Sequence, residues 1–338
     1  MPEQTPQPSP ELFFQAANAY QLSAALSAAV ELDIFTAVGE GSRDARALAA
    51  RCGASERGAR ILSDYLVVVG MLTKDESGYG LTQDSAVFLD RRSPAFMGGA
   101  LEFLHAPTLL ASFEDLAGAV RKGGTVMPGG GTVAVENPLW VKFARAMAPM
   151  AAMPAGEMAR VVCGGRPGPL KVLDVAAGHG LYGIAFARQN PSAEVVALDW
   201  PAVLEVAAEN ARAAGVDSRH STIEGDAFDA DYGGGYDVIL LTNFLHHFDP
   251  AACVRLLRKA RAALAEGGVA VTLEFVPDEG RVSPPIPAAF SLTMLAGTEG
   301  GDAYTFPELE RMFADAGFSR SQLHQLTVSP QRLVVSER

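Results

Sequence analysis

The chain has 338 residues, 49% of them apolar and 20% charged, with a formal net charge of −12. These values suit a soluble globular protein long enough for two domains, and they exclude a general nucleic-acid binder, since most of the surface would repel phosphate. Cys52, Cys163 and Cys253 lack paired metal-ligand spacing and indicate a reduced, cytoplasmic setting, and no apolar run approaches the ~20 residues that cross a membrane.

In chain order, MPEQTPQPSP is proline-rich and has no apolar segment, so residues 1–10 read as a disordered leader rather than a signal peptide. Residues 11–31, ELFFQAANAYQLSAALSAAVE, are alanine-rich with large apolar residues at helical intervals. They predict one long helix suited to packing on a partner chain. After the short segment DIFTAV, RDARALAARCG ends on Gly53, a helix stop, and Ser55 caps ERGARILSDYLVVVGML. LTKDESGYGLT then predicts two short strands around a turn at Glu76 to Gly78.

Helix, helix, helix, hairpin is the order of a winged helix, here over residues 11–100. Residues 1–100 hold eight Lys/Arg against twelve Asp/Glu, so this region is itself acidic. That balance favours a packing or dimerisation module over DNA binding.

Residues 95–163 are helical again, interrupted by KGGTVMPGGGT (122–132), which lacks the Gly-Lys-Ser/Thr ending of a phosphate loop. In ENPLWVKFARAMAPMAAMP, Trp140, Phe143, Met147 and Met150 recur at three- and four-residue spacing, a stripe that serves either as core or as pocket wall. CGGRPGP (163–169) reads as a hinge. Beyond it KVLDVA, EVVALD, STIEGD, YDVILL and VAVTLEF alternate with helical stretches, which predicts a parallel α/β sheet with helices on both faces. QLHQLTV and QRLVVSE are candidates for an antiparallel edge.

GHGLYG (178–183) spells G-x-G-x-x-G, the dinucleotide fingerprint. In a dinucleotide fold, however, the first glycine directly follows the strand, so that a pyrophosphate reaches the next helix. Here the strand carries Asp174, followed by VAAGHG. A carboxylate there suits a cationic group, and S-adenosylmethionine has an ammonium beside a sulfonium and no phosphate. Gly178 and Gly180 then permit close backbone approach to its methionine part, while Gly183 lies within the helix and serves packing on the sheet. Asp199, at the end of the second strand, can accept from ribose hydroxyls of either ligand. In GDAF (225–228), Asp226 can accept from an adenine amino group and Phe228 can cover the ring. Asp174, Asp199 and Asp226 thus close three successive strands at the ligand edge.

The fourth strand runs YDVILLTNFLHHFDP, with His246 and His247 adjacent. Neighbours on an extended segment point opposite ways, so one of the two is expected to face the ligand. An imidazole with its ordinary pKa near ~6.5 suits a general base at that edge.

With these residues in place, the chain resembles the class I S-adenosylmethionine-dependent methyltransferases, specifically the plant-caffeate-type O-methyltransferase family with its bacterial and cyanobacterial members. The likeness covers nearly the whole chain through VLDVAAGHG, ALDWP, GDAF, LLTNFLHHFDP, AALAEGGVAVTLEFVPDE and GDAYTFPELERMFADAGF. It implies a Rossmann-like methyltransferase sheet from about residue 170, inside a catalytic domain of residues 101–338. It also implies an N-terminal winged-helix dimerisation domain and a homodimer. The implied reaction moves a methyl group from S-adenosylmethionine to a hydroxyl of a small aromatic or apolar acceptor, leaving S-adenosylhomocysteine.

The resemblance makes His246 the base and Glu274 the residue that orients it. The implied cofactor set is Asp174, Gly178, Gly180, Asp199, Trp200, Asp226, Ala227, Phe228 and Asn243. The implied acceptor set is Trp140, Phe143, Met147, Met150, His247, Phe290 and Met294, with a partner subunit's first helix, near Phe13 to Tyr20, closing the pocket. No metal and no nucleic acid enter this reading. The chain departs from the family pattern at Ala303, where a second carboxylate is usual (Asp302 is its neighbour). It also has Ala176-Ala177 for a double glycine and Thr242 for a lysine. Methylation of carbon or sulfur on the same scaffold, and a winged-helix regulator that senses the cofactor without turnover, are the alternatives.

Overall fold

The computed structural model describes residues 8–134, 138–166 and 168–338. Residues 1–7 of the expected leader and Pro167 of the expected hinge lie outside them. The chain divides into one compact unit up to Leu101 and a second from Glu102.

The first unit begins with α1 (Glu11–Ala17) and α2 (Ala19–Glu31), so the single helix expected over 11–31 is interrupted. The cause is local: Asn18 leaves helical geometry, and its side-chain amide donates to the Phe14 carbonyl at 2.9 Å, competing with the helical ladder. DIFTAV is not a plain connector either. It forms α3 (Ile34–Gly39), because Ile34, Phe35, Ala37 and Val38 are all buried in the unit's core with Leu48, Leu66 and Leu72. Asp44 caps α4 (Ala45–Cys52), which stops at Gly53 in the left-handed region, and Ser55 caps α5 (Glu56–Val68). The strands β1 (Leu72–Asp75) and β2 (Gly78–Leu81) pair antiparallel, and α6 (Gln83–Phe88) follows. No residue of α1 is buried, and Leu12, Phe13 and Phe14 are 76%, 68% and 57% exposed.

Three short helices, α7 (Leu101–Leu104), α8 (Pro107–Ser112) and α9 (Leu116–Lys122), precede the long α10 (Leu139–Cys163), which accommodates Pro149 and Pro154. The sheet follows: β3 (Leu170–Val175), α11 (Leu181–Gln189), β4 (Ala193–Asp199), α12 (Pro201–Ala213), β5 (His220–Glu224), β6 (Tyr236–Leu240), α13 (Pro250–Ala263) and β7 (Leu264–Glu274). Then come α14 (Pro285–Gly297), α15 (Phe306–Asp315), β8 (Arg320–Gln325) and β9 (Arg332–Glu337). The strand order is β5-β4-β3-β6-β7-β9-β8, parallel through the first five and antiparallel at β9 and β8, as the edge segments predicted.

Alternation along the strands builds two cores. Leu173, Val175, Ile239 and Ala270 face the layer of α13 and α15, while Leu170, Val172, Val238, Leu240 and Val271 face that of α10 and α11. Asp174 has the parity of Leu170 and Val172, which puts its carboxylate on the α11 side. Connections from β3 and β6, adjacent strands, run to opposite sides of the sheet. Their carboxyl ends therefore flank the topological switch point, where a crevice for ligands is expected. Among the described residues no helix is long and apolar enough to cross a membrane.

Candidate active site at the sheet switch point

Asp174 is fully buried beneath the glycine loop. Its Oδ2 accepts from the Gly183 N–H at 2.9 Å, while Oδ1 is buried with no hydrogen-bond partner among the described residues. Burial pushes this carboxyl up to about 7, opposed by the Gly183 bond and reinforced by Asp199. Asp199 accepts from Gly178 N–H (2.8 Å) and Trp200 N–H (2.7 Å), and desolvation still pushes it up to about 6. Desolvation thus dominates both carboxylates, and a cation beside them would offset it.

The glycines divide their work. Gly180 enters α11 in the left-handed region (φ 72°), and a Cβ there would lie 2.9 Å from Ala207 Cβ. Gly183 needs no special backbone, but its Cβ would lie 2.7 Å from Val195 Cγ1 of β4, so it does allow helix and sheet to close together. Gly178 presents its backbone beside Phe143, whose Cε1 would lie 3.6 Å from an added Cβ. Asp226 stands two residues beyond the end of β5 rather than on it, and its Oδ1 accepts from Phe228 N–H at 2.6 Å. The Phe228 ring meets Phe248 edge-on at 5.1 Å, and Ala227 is buried. Trp200 immediately precedes α12, and it and Trp140 both pack against the cluster of Ala144, Val203 and Val206.

The histidines correct one expectation. They sit on a 3-10 turn (Leu245–His247), not on an extended segment, because Asn243 takes a left-handed conformation (φ 53°) and turns the chain off β6. Both rings therefore lie together, 4.3 Å apart, with different partners. His246 Nδ1 bonds the Glu274 Oε2 at the end of β7. A carboxylate accepts, so Nδ1 is the donor in this bond and Nε2 is the ring nitrogen left outside it. Glu274 Oε1 accepts from Phe244 N–H (3.0 Å) and Leu245 N–H (2.9 Å), so one carboxylate fixes both the turn and the ring. His247 meets Trp140 edge-on at 5.2 Å. Burial, and then His246, hold it well below the usual imidazole range, and its Nδ1 is buried without a partner among the described residues.

Aromatic rings run continuously from His246 to the glycine loop. Phe290 meets His246 at 4.9 Å, Trp140 meets Phe143 at 5.8 Å, and Phe143 stacks on His179 at 6.2 Å. On α14 Met294 is buried, and Phe290, one turn earlier, is half-buried. Along α10 the buried residues include Ala144, Ala151, Ala155, Met158 and Val162, whereas Trp140, Phe143 and Met147 are half-buried. Met150 is 39% exposed and about 15 Å along the helix from Trp140, so the structure does not bring it to the histidines. Asp302 does not replace the carboxylate absent at buried Ala303, since it pairs with Arg281 at 3.0 Å on the surface.

Residues 163–319 match the O-methyltransferase domain family, and residues 14–91 match the O-methyltransferase dimerisation domain. A crystallised protein from Nostoc punctiforme PCC 73102, assigned to the O-methyltransferases, is 53% identical, with a TM-score of 0.95 over 98% of this chain and 100% of that one. The chain belongs to the O-methyltransferase family. This O-methyltransferase is also 30% identical to acetylserotonin O-methyltransferase of Mus musculus, over 91% of this chain and 84% of that protein. It is 29% identical to 3-hydroxy-5-methyl-1-naphthoate 3-O-methyltransferase of Streptomyces sahachiroi, over 92% and 90%.

The methyl donor of the family is S-adenosylmethionine, and the residues of this O-methyltransferase fit it. Among the described residues Asp174 Oδ1 is a buried acceptor without a partner, which a ligand cation can meet, and Asp199 is a desolvated acceptor beside the glycine loop. Sequence reasoning passed over three residues at the site. His179 lies inside the fingerprint, where Nδ1 accepts from Leu181 N–H at 3.1 Å and burial pushes its pKa down to about 4. Tyr182 Oη accepts from Asn243 Nδ2 at 3.2 Å, and Asn243 Oδ1 bonds Gln331. His179 and Tyr182 were visible as polar rings beside a glycine loop. Gln331, from the β8–β9 connection, carried no local signal.

Proposed function

We propose that this O-methyltransferase methylates a hydroxyl of a small aromatic acceptor with His246 as general base. The observation that carries the reading is the His246–Glu274 pair beside an aromatic wall. His246 Nε2 takes the hydroxyl proton, and Glu274 stabilises the imidazolium that results. The oxygen's electron pair then forms the new C–O bond, and the electron pair of the breaking C–S bond leaves with sulfur. S-adenosylmethionine supplies the electrophilic methyl group when bound.

Asp174 and Gly178 hold its methionine part, Asp199 the ribose, and Asp226 with Phe228 the adenine, while Trp200, Ala227 and Asn243 shape the walls. Trp140, Phe143, Phe290 and Met294 offer flat and thioether surfaces that suit an aromatic ring, and His247, kept neutral, offers it a polar contact. Met147 lies further along α10 at the same face. Two relatives are named for methylating aromatic compounds, which supports the acceptor class. The dimerisation-domain match and the unburied apolar face of α1 support a homodimer through the N-terminal unit, whose helices and hairpin we read as a winged helix.

The test is methyl transfer from labelled S-adenosylmethionine to phenols, hydroxy acids, thiols and activated carbons, with binding of S-adenosylhomocysteine and NADH compared by calorimetry. Phenols are expected to lead, and S-adenosylhomocysteine alone to bind. Preference for thiols or carbons, or tight NADH binding alone, sinks the reading.

A further inference from the structure

The end of β5 and the connection after it are crowded with carboxylates, Glu224, Asp226, Asp229 and Asp231, yet the connection must hold one of them in a defined place. Its shape comes from a cation on another element. Lys259 of α13 donates to the Ala227 carbonyl at 3.1 Å and to the Phe228 carbonyl at 2.7 Å. Its ammonium lies 4.4 Å from the Tyr232 ring, and the Tyr232 hydroxyl donates to the same Ala227 carbonyl at 2.7 Å. Burial lowers the Lys259 pKa, opposed by Asp229, Asp226 and Asp231.

The peptide that Lys259 grips also places the two residues assigned to adenine above. Phe228 N–H donates to Asp226 Oδ1, so carboxylate and ring move with that backbone. One helical turn earlier, Arg255 sets its guanidinium 5.7 Å from the Phe228 ring, while Phe248 meets that ring edge-on. A lysine on an amphipathic helix ordinarily extends into water at little energetic consequence. This one makes two charge-assisted bonds to main-chain carbonyls, roughly twice as strong as neutral ones.

We propose that Lys259 is a positioning residue for the nucleoside end of the methyl donor, setting Asp226 and Phe228 through the Ala227 and Phe228 carbonyls. The inference rests on the assignment of that loop to adenine made above. Lys259→Met removes the donors and keeps the apolar stem, and Lys259→Arg keeps a cation with donors. Calorimetry with S-adenosylhomocysteine should show ~10-fold or greater weakening in Lys259→Met. The preference for S-adenosylhomocysteine over S-inosylhomocysteine should fall with it, because Asp226 would no longer meet the adenine amino group squarely. KM for S-adenosylmethionine should rise while kcat stays within about threefold, and Lys259→Arg should recover most of the affinity.

Folded Lys259→Met that binds within about twofold of wild type, or that weakens both nucleosides equally, overturns the proposal. If Lys259→Met does not fold, Tyr232→Phe, which removes the second donor to Ala227, should erode the same base preference, and an unchanged preference there overturns it as well. Failure of the wild-type protein to bind S-adenosylhomocysteine would instead sink the site assignment itself.

Discussion

His246 and His247 are the same side chain in adjacent positions, and their partners separate their roles. Glu274 accepts from His246 Nδ1, leaving Nε2 outside that bond, whereas His247 lies against Trp140 with burial holding it well below the usual imidazole range. His246→Ala is expected to lower kcat by ~10²–10⁴-fold while leaving S-adenosylhomocysteine affinity near wild type. Single-turnover rates beside calorimetry check this, and near-wild-type turnover would remove His246 as the base. Asp174 makes a prediction of opposite kind. Its native pKa of about 7 stands above the ~3.9 of an unfolded chain, so protonation favours the fold. The stabilising contribution is complete below pH ~4 and is lost as pH rises through about 7, and Asp199 acts in the same direction up to about 6. Asp174→Asn still accepts from Gly183 but carries no charge. Without ligand it should melt above wild type at pH 8, by ~2–4 °C per kcal/mol of desolvation relieved, with the gap closing near pH 4. Equal melting temperatures at pH 8 would contradict it.

At the scale of elements, the contact of α11 with β4 rests on one missing methyl group. Gly183→Ala would gain about 1 kcal/mol in helix propensity, but its Cβ would stand 2.7 Å from Val195 Cγ1, which is buried and cannot yield. Overpacking costs ~1–3 kcal/mol against that gain, and with Val195 unable to yield the balance falls on the destabilising side, a net loss of up to ~2 kcal/mol in denaturant unfolding. A variant more stable than wild type would show that the contact relaxes freely. Elements were legible where signals were local. Gly53, Ser55 and the strand runs KVLDVA and YDVILL all appear where expected. Misreadings came where a competing interaction was not periodic. Asn18 bonds its own helix and breaks it, and DIFTAV becomes α3 because burial outweighs its weak local pattern. The Trp140 stripe was ambiguous in sequence, and only the structure shows that burial is deepest further along α10, at Ala151, Ala155, Met158 and Val162 in the core with α11, while Trp140 and Met147 are half-buried.

For the whole molecule, the N-terminal unit has a consequence that the catalytic unit does not. The apolar residues of α1 stay largely exposed among the described residues, and the region matches a dimerisation domain. Replacing Phe13 and Phe14 together by Asp should therefore shift light-scattering mass from dimer toward monomer at micromolar concentration, since two charges would have to be desolvated at the interface. An unchanged dimer would place the contact elsewhere.

Sequence alone determined the class of sheet, the acidic series Asp174, Asp199 and Asp226, and the histidine pair, because strand periodicity and residue chemistry are local properties. Tertiary structure decided what those residues face. Glu274 reaches His246 from 28 residues away, and Gln331 reaches Asn243 from 88. Lys259 reaches the Ala227 carbonyl from 32. The physical reason is that a side chain's role depends on the partner that desolvates or bonds it, and such partners are brought together by the order of strands in the sheet rather than by spacing along the chain.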